Sequence, residues 1–180
     1  MENEMYSRTI RLIGQAGFDR LRRAHVCLFG VGGVGGACAE ALVRAGIGKL
    51  TLVDPDTVAV SNLNRQLVAT QETLGLPKTE AAAIRLHSID PDCTILERRT
   101  FYLPENAADF DFAQYDYVLD AIDTVSAKLS IIEECKKVGN KQPPASISFV
   151  PPVCGYLLAG EVVRDLLRET ETENEGSDRL

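Results

Sequence analysis

The stretch His25-Val26-Cys27-Leu28-Phe29-Gly30-Val31-Gly32-Gly33-Val34-Gly35 decides the fold. A short apolar run breaks into glycines and then opens a segment with helical character over 33–45. Gly30, Gly32 and Gly35 meet the G-x-G-x-x-G spacing of a strand–turn–helix nucleotide site. The first glycine serves the tight turn, the second lets backbone amides approach a phosphate, and the third lets helix pack on strand. The helix start beyond them offers unpaired N–H groups and a partial positive charge, which suits a polyphosphate. A second apolar run, 49–53, ends on Asp54. That acid stands about 20 residues past the glycines, where a carboxylate reaching a ribose hydroxyl belongs.

The glycine loop alone favours a nicotinamide or flavin dehydrogenase. The residues beyond Asp54 argue otherwise. The chain continues DPDTVAVSNLNRQ from 54, GLPKTEAA from 75 and YDYVLDAIDT from 115. These segments set Asp54, Asp56, Asn62, Asn64, Arg65, Lys78, Asp120 and Asp123 at or just beyond expected strand ends and helix starts. In an open parallel sheet the ligand crevice lies at the carboxyl ends of the strands, so these residues can converge on one site. Hydride transfer needs an apolar slot for its ring and has little use for two cations beside a phosphate. Cations near phosphates, with a carboxylate able to hold a magnesium ion, suit attack on phosphorus. The residues favour phosphoryl or nucleotidyl transfer.

The glycine loop, DPD, SNLNRQ, GLPK and DAID, in that order, resemble the ubiquitin-activating superfamily of adenylyltransferases, which activate carboxylates with ATP. The resemblance implies that Gly30, Gly32, Gly33 and Gly35 line the phosphates and that Asp54 holds the ribose, with Asp56 beside it. It makes Asn62, Arg65 and Lys78 the polar and basic residues around the phosphates, and Asp123 the carboxylate associated with magnesium. Tyr6-Ser7-Arg8-Thr9 resembles the superfamily's N-terminal arginine segment, which implies a homodimer in which Arg8 reaches the neighbouring ATP site.

Within the superfamily the resemblance is strongest to the tRNA threonylcarbamoyladenosine dehydratases. It rests on YSRTIRLIGQAGFDRL from 6, DAIDTVSAK from 120 and PPASISFVPPVCGYLLAGEVVRDLL from 143. Those enzymes adenylate the threonyl carboxylate of a modified adenosine, which cyclises with loss of AMP. The implied partners are a tRNA substrate and a cysteine-desulfurase-type or sulfur-carrier protein. The resemblance covers about 5–139 and resumes over about 143–167. Family members carry a further strand, a crossover loop and more sheet where this chain passes from Lys141 into Gln142-Pro143-Pro144. That segment normally covers the activated substrate, so nucleotide binding has firmer support than full turnover. Two other functions stay open: adenylation of the C-terminal glycine of a ubiquitin-like sulfur carrier, and a nucleotide-binding module without catalysis.

With 45% hydrophobic and 25% charged residues, the 180-residue chain can bury the core of one domain, expected over 1–168. No run approaches the roughly 18 apolar residues of a membrane span, and no signal peptide is legible, so a cytoplasmic site is expected. The five cysteines never form a C-x-x-C pair, which favours buried free thiols over a zinc site. Two histidines without a cysteine partner make a Cys–His hydrolase improbable. The net charge of −7 gives no support to RNA binding by itself. Much of it lies in TETENEGSD, 170–178, which reads as an acidic disordered tail over 169–180. Basic clusters stand at Arg20, Arg22 and Arg23 and at Lys136, Lys137 and Lys141.

Periodicity and turn signals predict helices over 10–22, 33–45, 78–89, 106–112, 126–138 and 153–167. They predict strands over 26–29, 49–53, 95–99, 117–119 and 146–149. Gly155, Ala159 and Gly160 form a small-residue face on the last helix. The alternation implies an α/β, doubly wound, mostly parallel sheet with a Rossmann-like glycine loop.

Overall fold

The computed structural model describes residues 2–139 and 151–174. The predicted strand over 146–149, Lys141 and the last residues of the acidic tail lie outside the described residues.

Strand β1, His25–Phe29, is buried at every position, as a central parallel strand covered on both faces must be. It pairs in parallel with β2, Lys49–Val53, on one side and with β4, Tyr117–Asp120, on the other. The strand β3, Thr94–Arg98, lies outside β2 and gives the order β3-β2-β1-β4. Register fixes the site. Phe29 stands opposite both Val53 and Asp120, so Gly30, Asp54 and Ala121 leave the sheet side by side at its carboxyl edge.

Alternation along the strands builds two cores. Val26, Leu28, Leu50, Leu52 and Leu119 face the layer that includes α3, Gly33–Ala45, α4, Lys78–His87, and α6, Pro151–Asn174. Cys27, Phe29, Val53 and Val118 face α5, Val125–Lys137, through Ala127, Ile131 and Cys135. Tyr102, Phe110 and Phe112 close around the Phe29 ring there, with centroids 4.8, 5.5 and 5.9 Å away. The sheet is therefore doubly wound.

Several boundaries differ from those the sequence predicts, for local reasons. The first long helix, α2, starts earlier and spans Ser7–Arg23, interrupted at Gly14, whose φ of 74° no helical residue adopts. A short helix, α1, precedes it over Glu2–Met5. The helix predicted over 106–112 is instead two 3₁₀ turns, Pro104–Asp109 and Phe112–Gln114. Asn106 explains this: its side chain takes the Leu103 N–H and donates to the Phe101 carbonyl, competing with helical bonding. The α4 helix stops at His87, where the Ser88 hydroxyl bonds the Arg85 carbonyl. The last helix continues to Asn174, past the expected end at 167 and into the segment read as tail. Its inner face uses Gly155, Leu158, Ala159, Val162 and Leu166. Gly160 points to solvent instead of sharing that face.

The N-terminal segment is pinned by Tyr6, which is 1% exposed. Its hydroxyl lies 3.0 Å from the Val43 carbonyl and 2.8 Å from Asp90 Oδ2, and Arg22 donates to the same carboxylate oxygen at 2.7 Å. Burial pushes the Asp90 carboxyl up, but the Tyr6 and Arg22 hydrogen bonds outweigh it and hold the group below its ordinary value. A depressed carboxyl leaves the unfolded chain binding more protons in acid. The stability Asp90 contributes is therefore complete above its unfolded value of about 3.8 and is lost as pH falls through the folded value. Tyr6→Phe should cost about 1 kcal/mol at neutral pH. It should also move the acid-unfolding limb to higher pH, as measured by urea denaturation between pH 7 and 3.

Candidate nucleotide-binding site

A cavity of about 690 Å³ opens at the carboxyl edge of the sheet, between the loops that follow β1, β2, β3 and β4. Among the residues around it are Gly30, Gly32, Asp54, Asp56, Asn62, Arg65, Lys78 and Asp123. This is the point where connections diverge to the two faces, the usual ligand crevice of such sheets.

The glycine loop is built by close approach. Gly30 has φ 92°, and a Cβ there would stand 2.6 Å from the Ala121 carbonyl oxygen, so glycine is required twice over. Gly32 caps α3, whose first helical bond runs from Gly36 N–H to the Gly32 carbonyl. Among the described residues the amides before Gly36 in this helix have no carbonyl partner, and they face the helix start, an anion site by construction. The cavity wall includes Gly30 and Gly32, while Gly33 and Gly35 belong to the start of α3 behind it. Gly35 lets α3 pack on β1, as the third glycine of the spacing should, since a Cβ would fall 1.8 Å from the Gly30 oxygen.

Asp54 braces this loop. One of its carboxylate oxygens accepts the Val31 N–H at 2.7 Å and the other accepts the Asp56 N–H at 2.9 Å. A carboxylate has about four acceptor positions, so capacity remains for a hydroxyl donor. Lys78, 7% exposed at the start of α4, donates to Asp56 Oδ2 at 2.7 Å and lies 4.0 Å from Asp54 Oδ1. Its backbone N–H bonds the Asp56 carbonyl, tying α4 to the DPD turn.

Asn62 is a structural member as well as a lining residue. Its Oδ1 takes the Ala59 N–H, and its carbonyl takes the Arg65 and Gln66 N–H groups, which fixes the turn carrying both side chains. Arg65 is exposed and folded back on the Ser61 carbonyl and Asn64 Oδ1, both at 2.9 Å. Asp123 is exposed and, among the described residues, makes no hydrogen bond or ion pair. Thr124, not Asp123, occupies the cap position of α5. Arg8 is exposed on α2 and is not among the residues lining this chain's own cavity.

Three contributors have no role in the sequence motifs. Gln66 and Lys128 sit inside SNLNRQ and DAIDTVSAK, so their signal is present but points to no separate task. Lys128 pairs with Asp120 at 2.8 Å. The Thr100–Phe101–Tyr102 wall has no motif to betray it; only the aromatic packing around Phe29 brings it to the cavity.

The described residues hold no group of three or more His, Cys, Asp or Glu able to bind a metal alone. A free carboxylate at Asp123 nonetheless fits magnesium, which favours one or two carboxylates together with substrate phosphates and water. Burial pushes the Cys93 and Cys135 thiols up to about 11 and Cys38 to about 12, so none of these is a thiolate at neutral pH.

The ThiF family model matches residues 6–148. The chain belongs to the ThiF family. It is 48% identical over 127 residues to a tRNA threonylcarbamoyladenosine dehydratase of Haemophilus influenzae, covering 71% of this chain and 49% of that protein. A Bacillus subtilis protein of the same name is 30% identical across 243 aligned positions, covering 92% of this chain and 96% of the relative. That alignment exceeds this chain's 180 residues, so the relative contains residues with no counterpart here. The crystal structure of the Escherichia coli tRNA N6-threonylcarbamoyladenosine dehydratase with ATP superposes with a TM-score of 0.74 at 40% identity. The superposition covers 77% of this chain and 57% of that one. This ThiF-family chain spans about half the length of the curated relatives from H. influenzae and E. coli.

Gly35→Ala should lower stability by more than about 3 kcal/mol, because the added Cβ would stand 1.8 Å from the Gly30 carbonyl oxygen, and backbone cannot move aside cheaply. Gly32→Ala, where only the Gln66 amide lies within 4 Å at 3.8 Å, should change stability by less than about 1 kcal/mol. Denaturant titration of the two variants checks the contrast.

Proposed function

We propose that this chain binds ATP in the cavity and adenylates a carboxylate, that of threonylcarbamoyladenosine in tRNA, which then cyclises with loss of AMP. The observation that carries the reading is one wall arrangement. The open start of α3 faces a cavity that also receives Lys78, Arg65 and the unbonded Asp123. The names of the relatives support the substrate.

ATP lies with its phosphates over Gly30 and Gly32 and its ribose on Asp54. A carboxylate oxygen attacks the α-phosphorus, the bond to the β-phosphate oxygen breaks, and pyrophosphate leaves. The nucleophile is already ionised at neutral pH, so no general base is needed. Lys78 exchanges Asp56 for phosphate oxygen, and Arg65 leaves Ser61 and Asn64 to meet the growing negative charge. Asp123 would hold magnesium, which neutralises phosphate charge when bound. Arg8, exposed on α2, is assigned to the neighbouring site of a homodimer. A cytoplasmic location goes with the proposed tRNA substrate.

Lys78→Ala and Arg65→Ala should each lower AMP release about 10²–10³-fold. Binding of ATP should fall less, because these cations meet charge that builds in the transition state. Asp54→Ala should weaken ATP binding first. The assay follows AMP release from ATP with threonylcarbamoyladenosine-containing tRNA, alongside calorimetric titration of each variant. AMP release by both cation variants at the parent's rate would overturn the site. Release with a ubiquitin-like carrier but not with tRNA would reassign the substrate to a sulfur-carrier protein.

A further inference from the structure

Among the described residues three cations line the cavity, Arg65, Lys78 and Lys128, and the proposed chemistry gives work to the first two only. Lys128 lies in the first turn of α5. Its ammonium donates to Asp120 Oδ2 at 2.8 Å, and the other oxygen of that carboxylate takes the Ile122 N–H at 3.1 Å. The Asp120 side chain is 9% exposed and that of Lys128 26%, so a nearly buried, twice-bonded carboxylate anchors a cation that still reaches the cavity. An ammonium carries three donors, and Asp120 uses one of them. Mutual pairing is a weak reason for placing these two charges here, because neutral residues of similar volume often serve a fold as well as a buried ion pair.

What distinguishes Lys128 is its side of the glycine loop. Phe29 is in register with Val53 and with Asp120, so the ends of β2 and β4 flank the loop that begins at Gly30. Lys78 stands on the β2 side, bonded to Asp56 and 4.0 Å from Asp54, and Arg65 is carried by the turn that follows the same strand. Lys128 stands on the β4 side, held by Asp120. In an in-line displacement the attacking and leaving oxygens lie on opposite sides of the phosphorus. With the α-phosphorus over the glycine loop and pyrophosphate drawn towards Lys78 and Arg65, the nucleophile enters from the β4 side. That nucleophile is an anion approaching an anion, and in a partly enclosed cavity their repulsion calls for a cation beside it.

We propose that Lys128 binds the carboxylate of the acyl substrate and holds it on the β4 side of the glycine loop for attack on the α-phosphorus. The assignment rests on the adenylation reading. Two donors of the ammonium take the substrate carboxylate while the third stays on Asp120, so Lys128, unlike Lys78, gives up no partner. Asp120 is then the positioning residue that aims it.

The test compares the full chain with Lys128→Arg, with Lys128→Met, and with the double variant Lys128→Met, Asp120→Asn. Each is titrated with α,β-methylene-ATP and, once saturated, with threonylcarbamoyladenosine or the same nucleoside bearing a neutral carboxamide in place of its carboxylate. Lys128→Met strands the Asp120 carboxylate; the double variant removes both charges and keeps the comparison open if the single one fails to fold. The parent and Lys128→Arg should bind the carboxylate about 10–100-fold more tightly than the carboxamide. The methionine variants should bind the two alike and hold α,β-methylene-ATP as the parent does. A carboxylate preference kept by the methionine variants would overturn the proposal. So would a loss of α,β-methylene-ATP binding as large as the loss of that preference, which marks a phosphate contact. A parent that releases AMP with the modified tRNA yet does not tell carboxylate from carboxamide would sink the Lys128 contact and leave adenylation standing. A parent whose preference depends on Lys128 but which releases no AMP with any carboxylate would sink adenylation and leave the contact. A parent that does neither would remove both.

Discussion

The Asp54 carboxylate holds the Val31 N–H with one oxygen and the Asp56 N–H with the other, and so joins three things that the sequence keeps apart. It ends β2, it clamps the glycine loop after β1, and it shapes the DPD turn that receives Lys78. Hydrogen bonds to a carboxylate are about twice as strong as neutral ones, and this group is 6% exposed, so the clamp is costly to break. The clamp sets the turn that leads into α3, whose start borders the cavity at Gly32 and Val34. Any function of the site passes through it.

Charge at the cavity is balanced in the resting protein. Lys78 is matched by Asp56, Lys128 by Asp120, and Arg65 by a carbonyl and an amide. This is what a partly buried cationic site requires before its anion arrives, because an uncompensated ammonium in such surroundings is heavily penalised. In the proposed function binding becomes an exchange of partners, and Asp123, which makes no hydrogen bond or ion pair among the described residues, is the carboxylate assigned to a metal ion. The arrangement suits a polyphosphate carrying its own metal ion better than a nicotinamide ring, which would leave the basic residues with no task.

Much of this is legible in the order of residues alone. The glycine spacing, the acid ending the second strand, and the limits of α3 and β2 stand where local chemistry puts them, because each depends on residues close in sequence. The helix expected over 106–112 does not form because Asn106 spends its side chain on the backbone, a choice that composition does not display. The spacing gives Gly35 to helix–strand packing, and the fold bears this out, since a Cβ there would meet the Gly30 carbonyl. Gln66 and Lys128 are hidden in the sequence: only the fold shows that their side chains line the cavity. The family resemblance orders the motifs as they stand around the cavity, while Arg8 lies exposed on α2 and is not among the residues lining it.

The claim at the centre is that a carboxylate oxygen attacks the α-phosphorus of ATP in this cavity. Threonylcarbamoyladenosine in tRNA, carrying ¹⁸O in its threonyl carboxylate, tests this most directly. After turnover with ATP, mass spectrometry of the released AMP should find one ¹⁸O, carried over when the acyl–oxygen bond of the adenylate breaks. AMP without the label, or label recovered in inorganic phosphate with ADP as the nucleotide product, would contradict the account.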